Sequence, residues 1–295
     1  MKHIEKATRR LVRQLQAIDK GLFLQLLREL LSEHGVTSYP VFGLPRLWSV
    51  CEERSYSAQG ELTCAYAAPW YPCFYTPAIM RCARKQPFEL VLLHTYCHEM
   101  FHYLGRRPIN RMPLESAGNA VGSITNTLTG FQIDTTIDIG KKVPTSAFHF
   151  FNEGVTELLG REFTNRVAYR VNVLNVDEEG IACYLRAIED DCGFYQGPVA
   201  FVRALVKRFA TSSKMEPKLV LDWLVQSYVR GTNLRTDPTW NDYTRMAGFD
   251  PFFTSRLENA SEEQLGPFAG ELLQQKVRSN PVFGHDMDDI EVVPA

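Results

Sequence analysis

The sequence contains no uninterrupted apolar run of eighteen residues, which is about the shortest length expected of a membrane-spanning helix. Its 32 basic and 34 acidic residues nearly cancel, so composition does not indicate the basic surface of a nucleic-acid-binding protein. The charged N-terminus lacks the apolar segment of a Sec signal peptide. We therefore expect no membrane span and no nucleic-acid partner. The composition does not indicate an oligomeric state.

Cysteine is present, but without the spacing of a disulfide framework or a zinc finger. There are seven cysteines, an odd number, and no C-x-x-C pair. This pattern is typical of free thiols in a reducing compartment. We expect the protein to be cytoplasmic, or to be delivered into a reducing compartment by a secretion system other than Sec. Four cysteines fall between Cys51 and Cys82, but their irregular spacing does not favour a structural zinc site.

The remaining composition suits a globular protein, because 45% of the 295 residues are hydrophobic. Leucines recur at helical spacing through residues 1–35, and Gly35 offers a helix stop. Residues 39–83 mix β-forming residues with prolines, which predicts short strands and turns. From Phe148 the pattern is mainly helical. The predicted helices cover 148–166, 178–190, 197–210 and 217–230, and Asn152 is expected near the cap of the first.

The most specific motif is the H-E-x-x-H pentad from His98 to His102. Residues four apart on a helix lie on the same face, so these two imidazoles can bind one metal ion. Glu99 lies about 100° further round, where its carboxylate can accept a proton from a metal-activated water. The pentad lies in a stretch that is apolar nearly all round, from Pro87 to Leu104, which predicts a buried helix. We therefore predict a catalytic zinc site in which Glu99 is the general base.

A catalytic zinc usually has three protein ligands and one open position. The metzincin pattern is excluded, because Pro108 stands at its third-ligand position. Downstream, the segment Asn152-Glu153-Gly154-Val155-Thr156-Glu157 resembles the N-E-G-x-x-E motif of the gluzincin metallopeptidases. The resemblance covers the pentad and this segment, and it extends to small zincin-type peptidases among bacterial effectors and toxins. It implies that Glu153 is the third zinc ligand and that Glu157 holds a ligand histidine through the other ring nitrogen.

Other side chains remain candidates for roles beside the metal. His149 lies four residues before Glu153 and is an alternative third ligand or an oxyanion donor. His94 lies one turn before His98, but two helical turns separate it from His102, so these three cannot meet one ion. Gluzincin-like enzymes often use a tyrosine beside the zinc. Sequence spacing does not favour one of Tyr169, Tyr184 and Tyr195 over the others. We take Tyr169 as the candidate for the tyrosine beside the zinc.

One departure from the better-known gluzincins is the distance between the two motifs. Their glutamate follows the second histidine by about twenty residues, whereas Glu153 follows His102 by 51 positions. The intervening segment is rich in Gly, Thr, Asn and Ser, which indicates loops or hairpins. We interpret it as an insertion or a substrate-binding excursion.

The resemblance implies an α+β, zincin-like fold: a small sheet before the active-site helix, then a mainly helical C-terminal half. We expect an N-terminal helical segment (1–35), a catalytic domain (36–278) and an acidic flexible tail (279–295). The catalytic domain would comprise a sheet lobe (36–105) and a helical lobe (148–278). The resemblance also implies an edge strand near Phe74–Met80 that pairs with an extended peptide substrate.

These observations predict a zinc-dependent endopeptidase, possessing one catalytic Zn²⁺ and acting on a protein or peptide substrate. A catalytically silent zincin-fold binding or regulatory protein is one alternative, although such a protein need not retain Glu99. An aminopeptidase is another, but its usual G-x-M-E-N-type segment for the substrate N-terminus is not visible.

Overall fold

The structure is a computed structural model that describes residues 2–38, 48–54, 63–67, 72–84, 86–116, 119–170, 176–190 and 195–274. The acidic segment 279–295 lies outside the described residues. The described helices are α1 (Lys2–Ala17), α2 (Lys20–Glu33), α3 (Thr76–Cys82), α4 (Phe88–Gly105), α5 (His149–Ala168), α6 (Glu178–Asp190), α7 (Gln196–Ser213), α8 (Pro217–Arg230), α9 (Pro238–Met246), α10 (Phe253–Glu258) and α11 (Glu262–Gln274). The described strands are β1 (Ser49–Cys51), β2 (Ala65–Ala67), β3 (Pro72–Tyr75), β4 (Arg106–Ser116), β5 (Asn119–Thr129), β6 (Gln132–Asp138) and β7 (Lys142–Ala147).

The mixed α+β class is confirmed, and the predicted C-terminal helices agree closely with α5 to α8. The leucine spacing of residues 1–35 corresponds to two helices, α1 and α2, because Asp19 interrupts the run and caps α2. Its carboxylate accepts hydrogen bonds from the backbone N–H groups of Gly21 and Leu22. No helix in the described ranges has both the length and the apolarity needed to cross a lipid bilayer.

Helix α4 lies at the centre of the molecule. Pro87 precedes it as the N-cap, and no glycine or proline interrupts the helix before its last residue. Every residue of α4 except Tyr103 is buried, in agreement with a sequence that is apolar nearly all round. Its polar side chains are therefore held inside the protein rather than at a solvated face.

Helix α5 packs directly against α4. The two backbones lie close together at Gly160, where an added Cβ would lie 3.3 Å from the Cα of His98. Fifteen of the twenty residues of α5 are buried, including Glu153 and Glu157. The absence of a side chain at Gly160 thus lets the carboxylates of α5 reach the imidazoles of α4.

A three-stranded sheet precedes α4 in the chain, in the order β1-β3-β2. β3 pairs in parallel with β1 and antiparallel with β2, so it is the central strand. The prediction of an edge strand at Phe74–Met80 is therefore wrong. Residues 72–75 have both edges occupied, and Thr76 begins helix α3, in which Pro77 occupies the first turn. Proline fits a helix start as well as an edge strand, and the sequence pattern did not separate the two.

The 51-residue segment between the histidines and Glu153 forms a four-stranded antiparallel meander, β4-β5-β6-β7. Of the two alternatives that the composition indicated, loops or hairpins, the segment forms hairpins. A two-residue turn joins β5 to β6 and contains Gly130, whose φ is +59°. The Gly130 N–H donates to the Gly105 carbonyl at 2.9 Å, so this turn rests on the end of α4.

Gly130→Ala is expected to destabilise the protein more than Gly140→Ala. Both glycines have positive φ, so both substitutions carry the same kind of backbone strain. A Cβ at position 130 would lie 2.2 Å from Tyr228 Cε2, whereas a Cβ at position 140 would meet nothing within 4 Å. The difference in the free energy of unfolding should be about 1–3 kcal/mol, the usual penalty for overpacking. Chemical denaturation of both variants measures it, and equal losses would contradict the packing assigned to this turn.

The N-terminal helices join the core through a buried charged cluster at the end of α2. His34 is 5% exposed, with its Nδ1 2.8 Å from Asp222 Oδ1 on α8 and its Nε2 3.3 Å from Glu162 Oε2 on α5. Burial opposes protonation of His34, but the hydrogen bonds and charges of Glu162 and Asp222 raise its pKa overall. Burial opposes ionisation of both carboxyl groups, but the hydrogen bond with His34 lowers the pKa of Glu162, and the hydrogen bonds with Lys218 and His34 lower the pKa of Asp222.

This cluster predicts a pH-dependent stability. The pKa of His34 is higher when folded, so its contribution is complete below the unfolded value of about 6.5 and is lost as pH rises through the folded value. The free energy of unfolding of wild type should fall relative to that of His34→Gln as the pH rises above about 6.5. Paired denaturation curves at each pH measure the difference, which cancels titrations common to both proteins. A difference that is independent of pH would contradict a charged His34.

Candidate metal centre

Two imidazoles and one carboxylate converge between α4 and α5. His98 Nε2 and His102 Nε2 lie 3.1 Å apart, and each lies 3.2 Å from Glu153 Oε2. All three side chains are buried, with exposed fractions between 5% and 8%. Within the described ranges this is the group of histidine, cysteine or acidic residues whose atoms are close enough to share a metal ion.

The three atoms have the spacing that a tetrahedral zinc shell requires. With ligand distances of about 2.0–2.1 Å, tetrahedral geometry places neighbouring ligand atoms about 3.3–3.4 Å apart. The observed edges of 3.1–3.2 Å are within a few tenths of an ångström of that value. Two neutral imidazole nitrogens and one carboxylate oxygen are also an ordinary zinc donor set. The residues present therefore fit a zinc ion.

Charge within the cluster is strongly coupled. Burial alone would lower the pKa of His98, but Glu153 and Glu157 raise it to about 10. Burial alone would raise the pKa of Glu153, but His102 and His98 hold it well below its usual value. The carboxylates of the pocket thus stabilise a positive charge on His98, and they would stabilise a bound divalent cation in the same way.

Glu157 lies one helical turn after Glu153 and contacts the far side of His98. The His98 Nδ1–H donates to Glu157 Oε2 at 3.0 Å, while the Arg161 Nε–H donates to Oε1 at 2.8 Å. Glu157 is fully buried, and the charges of His94 and His98 hold its pKa well below the usual value although burial opposes this. With Nδ1 engaged as a donor, His98 presents Nε2 to Glu153 and His102.

His102 also has a side-chain partner, Asn152, which the sequence analysis placed only near the start of a helix. Asn152 lies in the first turn of α5, and its Nδ2 is 3.4 Å from His102 Nδ1. Its Oδ1 accepts a hydrogen bond of 2.9 Å from the Phe131 backbone N–H, in the turn after β5. Asn152 therefore connects His102 to the meander.

Glu99 is buried beside the histidines, with an exposed fraction of 4%. Its Oε2 has no hydrogen-bond partner among the described residues. Burial raises the pKa of Glu99, although the charges of His102 and His98 oppose this. A buried oxygen without a partner is costly, and such groups are found where function requires them.

The two other candidate residues lie in different surroundings. His149 Nδ1 is 3.8 Å from Glu153 Oε1 and 3.1 Å from Gln132 Oε1, so His149 borders the cluster without joining its three-atom group. Tyr169 caps the opposite end of α5 and is 50% exposed. It lies sixteen positions after Glu153, which is about 24 Å along the helix axis. The prediction of Tyr169 beside the metal is therefore wrong.

The tyrosine that lies beside the centre is Tyr195. Its ring stacks on that of His98, with centroids 5.7 Å apart and an interplanar angle of 16°. Tyr195 precedes α7 with φ of +51°, a left-handed conformation that is uncommon outside glycine. Spacing did not distinguish it, because it reaches His98 through a contact between elements distant in the chain.

His94 and Tyr184 extend the polar network behind Glu157. His94 Nε2 lies 3.2 Å from Glu157 Oε1, and His94 Nδ1 lies 3.0 Å from the Tyr184 hydroxyl oxygen. The position of His94 one turn before His98 placed it on the correct face. Its contact with Glu157 depends on the second helix and has no signal in the sequence.

No protein-family model, no curated protein and no solved structure matches the chain.

The geometry predicts different zinc affinities for two glutamine substitutions on α5. Glu153→Gln removes a candidate ligand and should abolish stoichiometric zinc binding. Glu157→Gln leaves the three-atom group intact but weakens the support of His98, so affinity should fall about 10–100-fold. Competition with a chromogenic chelator measures both.

Glu162→Gln is the control on the same helix, because its carboxylate contacts His34 and Arg166 rather than the cluster. Its affinity should equal that of wild type, with circular dichroism establishing that each variant folds. Undiminished zinc binding by folded Glu153→Gln would remove that carboxylate from the ligand set.

Proposed function

We propose that the protein is a zinc-dependent endopeptidase of gluzincin type, with a zincin-like catalytic domain. The observation that supports this most directly is the three-atom group of His98, His102 and Glu153, with the buried carboxylate of Glu99 beside it. The donor set leaves room for the open position of a catalytic zinc.

In this proposal the zinc ion would be held by His98, His102 and Glu153, whose Nε2 and Oε2 atoms converge on one point. When bound, the ion supplies a Lewis acid that lowers the pKa of a water and polarises the scissile carbonyl. Glu157 and Asn152 orient the two imidazoles from behind, through the contacts at their Nδ1 atoms.

Glu99 is proposed as the general base. Its buried carboxylate accepts a proton from the attacking water and then transfers that proton to the leaving amine. Burial makes the carboxylate a stronger base, because the charged form loses hydration. The Oε2 atom has no described partner that would compete for the incoming proton.

A peptide substrate would lie along β2 rather than along residues 74–80. Among the described strands, β2 is at the edge of its sheet and packs on α4. An edge strand offers unpaired backbone groups that can bind an extended peptide by strand addition. Because Glu99 lies on α4 and β2 packs on α4, a peptide bound along β2 would have its scissile bond near Glu99.

The thiols support a reducing location for this activity. All six cysteines within the described ranges are free, namely Cys51, Cys64, Cys73, Cys82, Cys97 and Cys183. We infer a cytoplasmic protein, or one delivered by a secretion system other than Sec into a reducing compartment, as bacterial effector and toxin proteases are.

Glu99→Gln is expected to retain zinc and the fold but to lose at least about 10²-fold in kcat/KM, the usual contribution of a general base. Substrates come from mass-spectrometric mapping of new termini in a peptide library and in whole-cell lysate treated with zinc-loaded protein. The rates of these cleavages can then be measured with wild type and with Glu99→Gln.

Glu179→Gln is a control with the same change of chemistry on an exposed residue of α6, and it should cleave at the wild-type rate. Zinc analysis of every preparation separates loss of metal from loss of the base. Wild-type rates from a zinc-loaded Glu99→Gln preparation would exclude Glu99 as the base.

A further inference from the structure

Two cysteines meet beside the three-stranded sheet. The Sγ atoms of Cys64 and Cys82 lie 3.5 Å apart, in van der Waals contact. Cys64 directly precedes β2, and Cys82 is the last residue of α3. Both residues are half-buried rather than enclosed in the core. Eighteen positions separate the two in sequence, and their pairing arises because the sheet and α3 fold together.

The two thiols differ in acidity. A hydrogen bond from the Cys64 thiol and the charge of Arg81 lower the pKa of Cys82, although burial opposes this. The same hydrogen bond, burial and the charge of Glu99 raise the pKa of Cys64 well above its usual value. Cys82 is therefore the nucleophilic member of the pair, and Cys64 retains its proton.

The other described thiols lack this combination. Cys51 Sγ also lies 3.5 Å from Cys73 Sγ, but burial raises the pKa of Cys51, and Cys73 is buried. Cys97 is fully buried within α4, which raises its pKa to about 12. Contact with a second thiol, partial exposure of both residues and a lowered pKa of one sulfur thus occur together at Cys64 and Cys82 among the described cysteines.

We propose that Cys64 and Cys82 form a redox-active dithiol that reacts with hydroperoxides and closes to a reversible disulfide. The Cys82 thiolate attacks the terminal peroxide oxygen, the O–O bond breaks, and a proton joins the departing alkoxide or hydroxide to give an alcohol or water. Cys82 becomes a sulfenic acid, and the peroxide is reduced by two electrons. The Cys64 sulfur then displaces the sulfenic oxygen, which leaves with the thiol proton as water, and the S–S bond forms.

The location makes this pair a modification site next to the candidate metal centre. β2 packs on α4, and the charge of Glu99 acts on the Cys64 thiol. A disulfide would join the start of β2 to the end of α3. The inference does not depend on the proposed peptide hydrolysis, because disulfide formation requires the two thiols and an oxidant.

The test is differential alkylation of zinc-loaded wild-type protein before and after one equivalent of hydrogen peroxide. Trypsin and chymotrypsin together separate Cys64 from Cys73, because chymotrypsin cleaves after Tyr66 and Trp70. We expect a linked peptide containing Cys64 and Cys82 that dithiothreitol removes, while Cys97 remains fully alkylated after unfolding.

Two variants test the order of the steps. Cys64→Ser should accumulate a sulfenic acid at Cys82 that dimedone traps, whereas Cys82→Ser should leave Cys64 reduced. Cys51→Ser is the matched control and should form the Cys64–Cys82 link as wild type does. Wild-type protein in which both thiols remain alkylatable after peroxide, or in which Cys82 is oxidised without a link to Cys64, overturns the proposal.

Discussion

The contact between α4 and α5 depends on one buried chain of opposite charges. Glu153 contacts His98 on one side, and Glu157 contacts the same ring on the other. Arg161 completes the chain from within α5. Removing one member of such a buried network typically costs about 3–5 kcal/mol, because the remaining charge is left uncompensated. The two helices therefore have one favourable register, and Gly160 provides the close approach that this register requires.

Burial of these charged and polar side chains reduces the stability of the fold. Residues His98, Glu99 and His102 lie within a helix whose other side chains are mostly apolar, and an all-apolar helix would bury the same surface without desolvating charge. Most of the buried charged groups have a hydrogen-bond partner, but Glu99 Oε2 has none among the described residues. A stability requirement alone would not keep a carboxylate there. The unpartnered oxygen is therefore the feature that most favours a catalytic role over a silent, zincin-shaped binding protein.

The sequence predicted best where a short motif or a period carries the information. The pentad placed His98 and His102 on one face because four residues make about one helical turn. The helices after Phe148 followed from apolar spacing and turn residues to within a few positions. Prediction failed where the answer depends on contacts between distant elements. Tyr195 stacks on His98 from the start of α7, whereas Tyr169, nearer in sequence to Glu153, lies at the wrong end of a straight helix.

The strand at Phe74 failed for another reason. The family resemblance and nearby prolines indicated an edge strand, but pairing partners decide whether a strand is central, and β1 and β2 supply one on each side. Sequence pattern describes one strand at a time and does not contain its neighbours. The same limitation applies to the thiols, since Cys64 and Cys82 are irregularly spaced in the chain and adjacent in space.

The wide gap between the pentad and Glu153 is compatible with one centre because the meander returns to its starting point. β4 leaves the end of α4, and β7 ends just before α5, so the length of the hairpins between them does not separate the helices. The turn after β5 connects the meander to the cluster. Its Gly130 N–H bonds to the end of α4, and its Phe131 N–H bonds to Asn152, which faces His102. The meander is thus anchored at its base to a candidate ligand through the turn after β5.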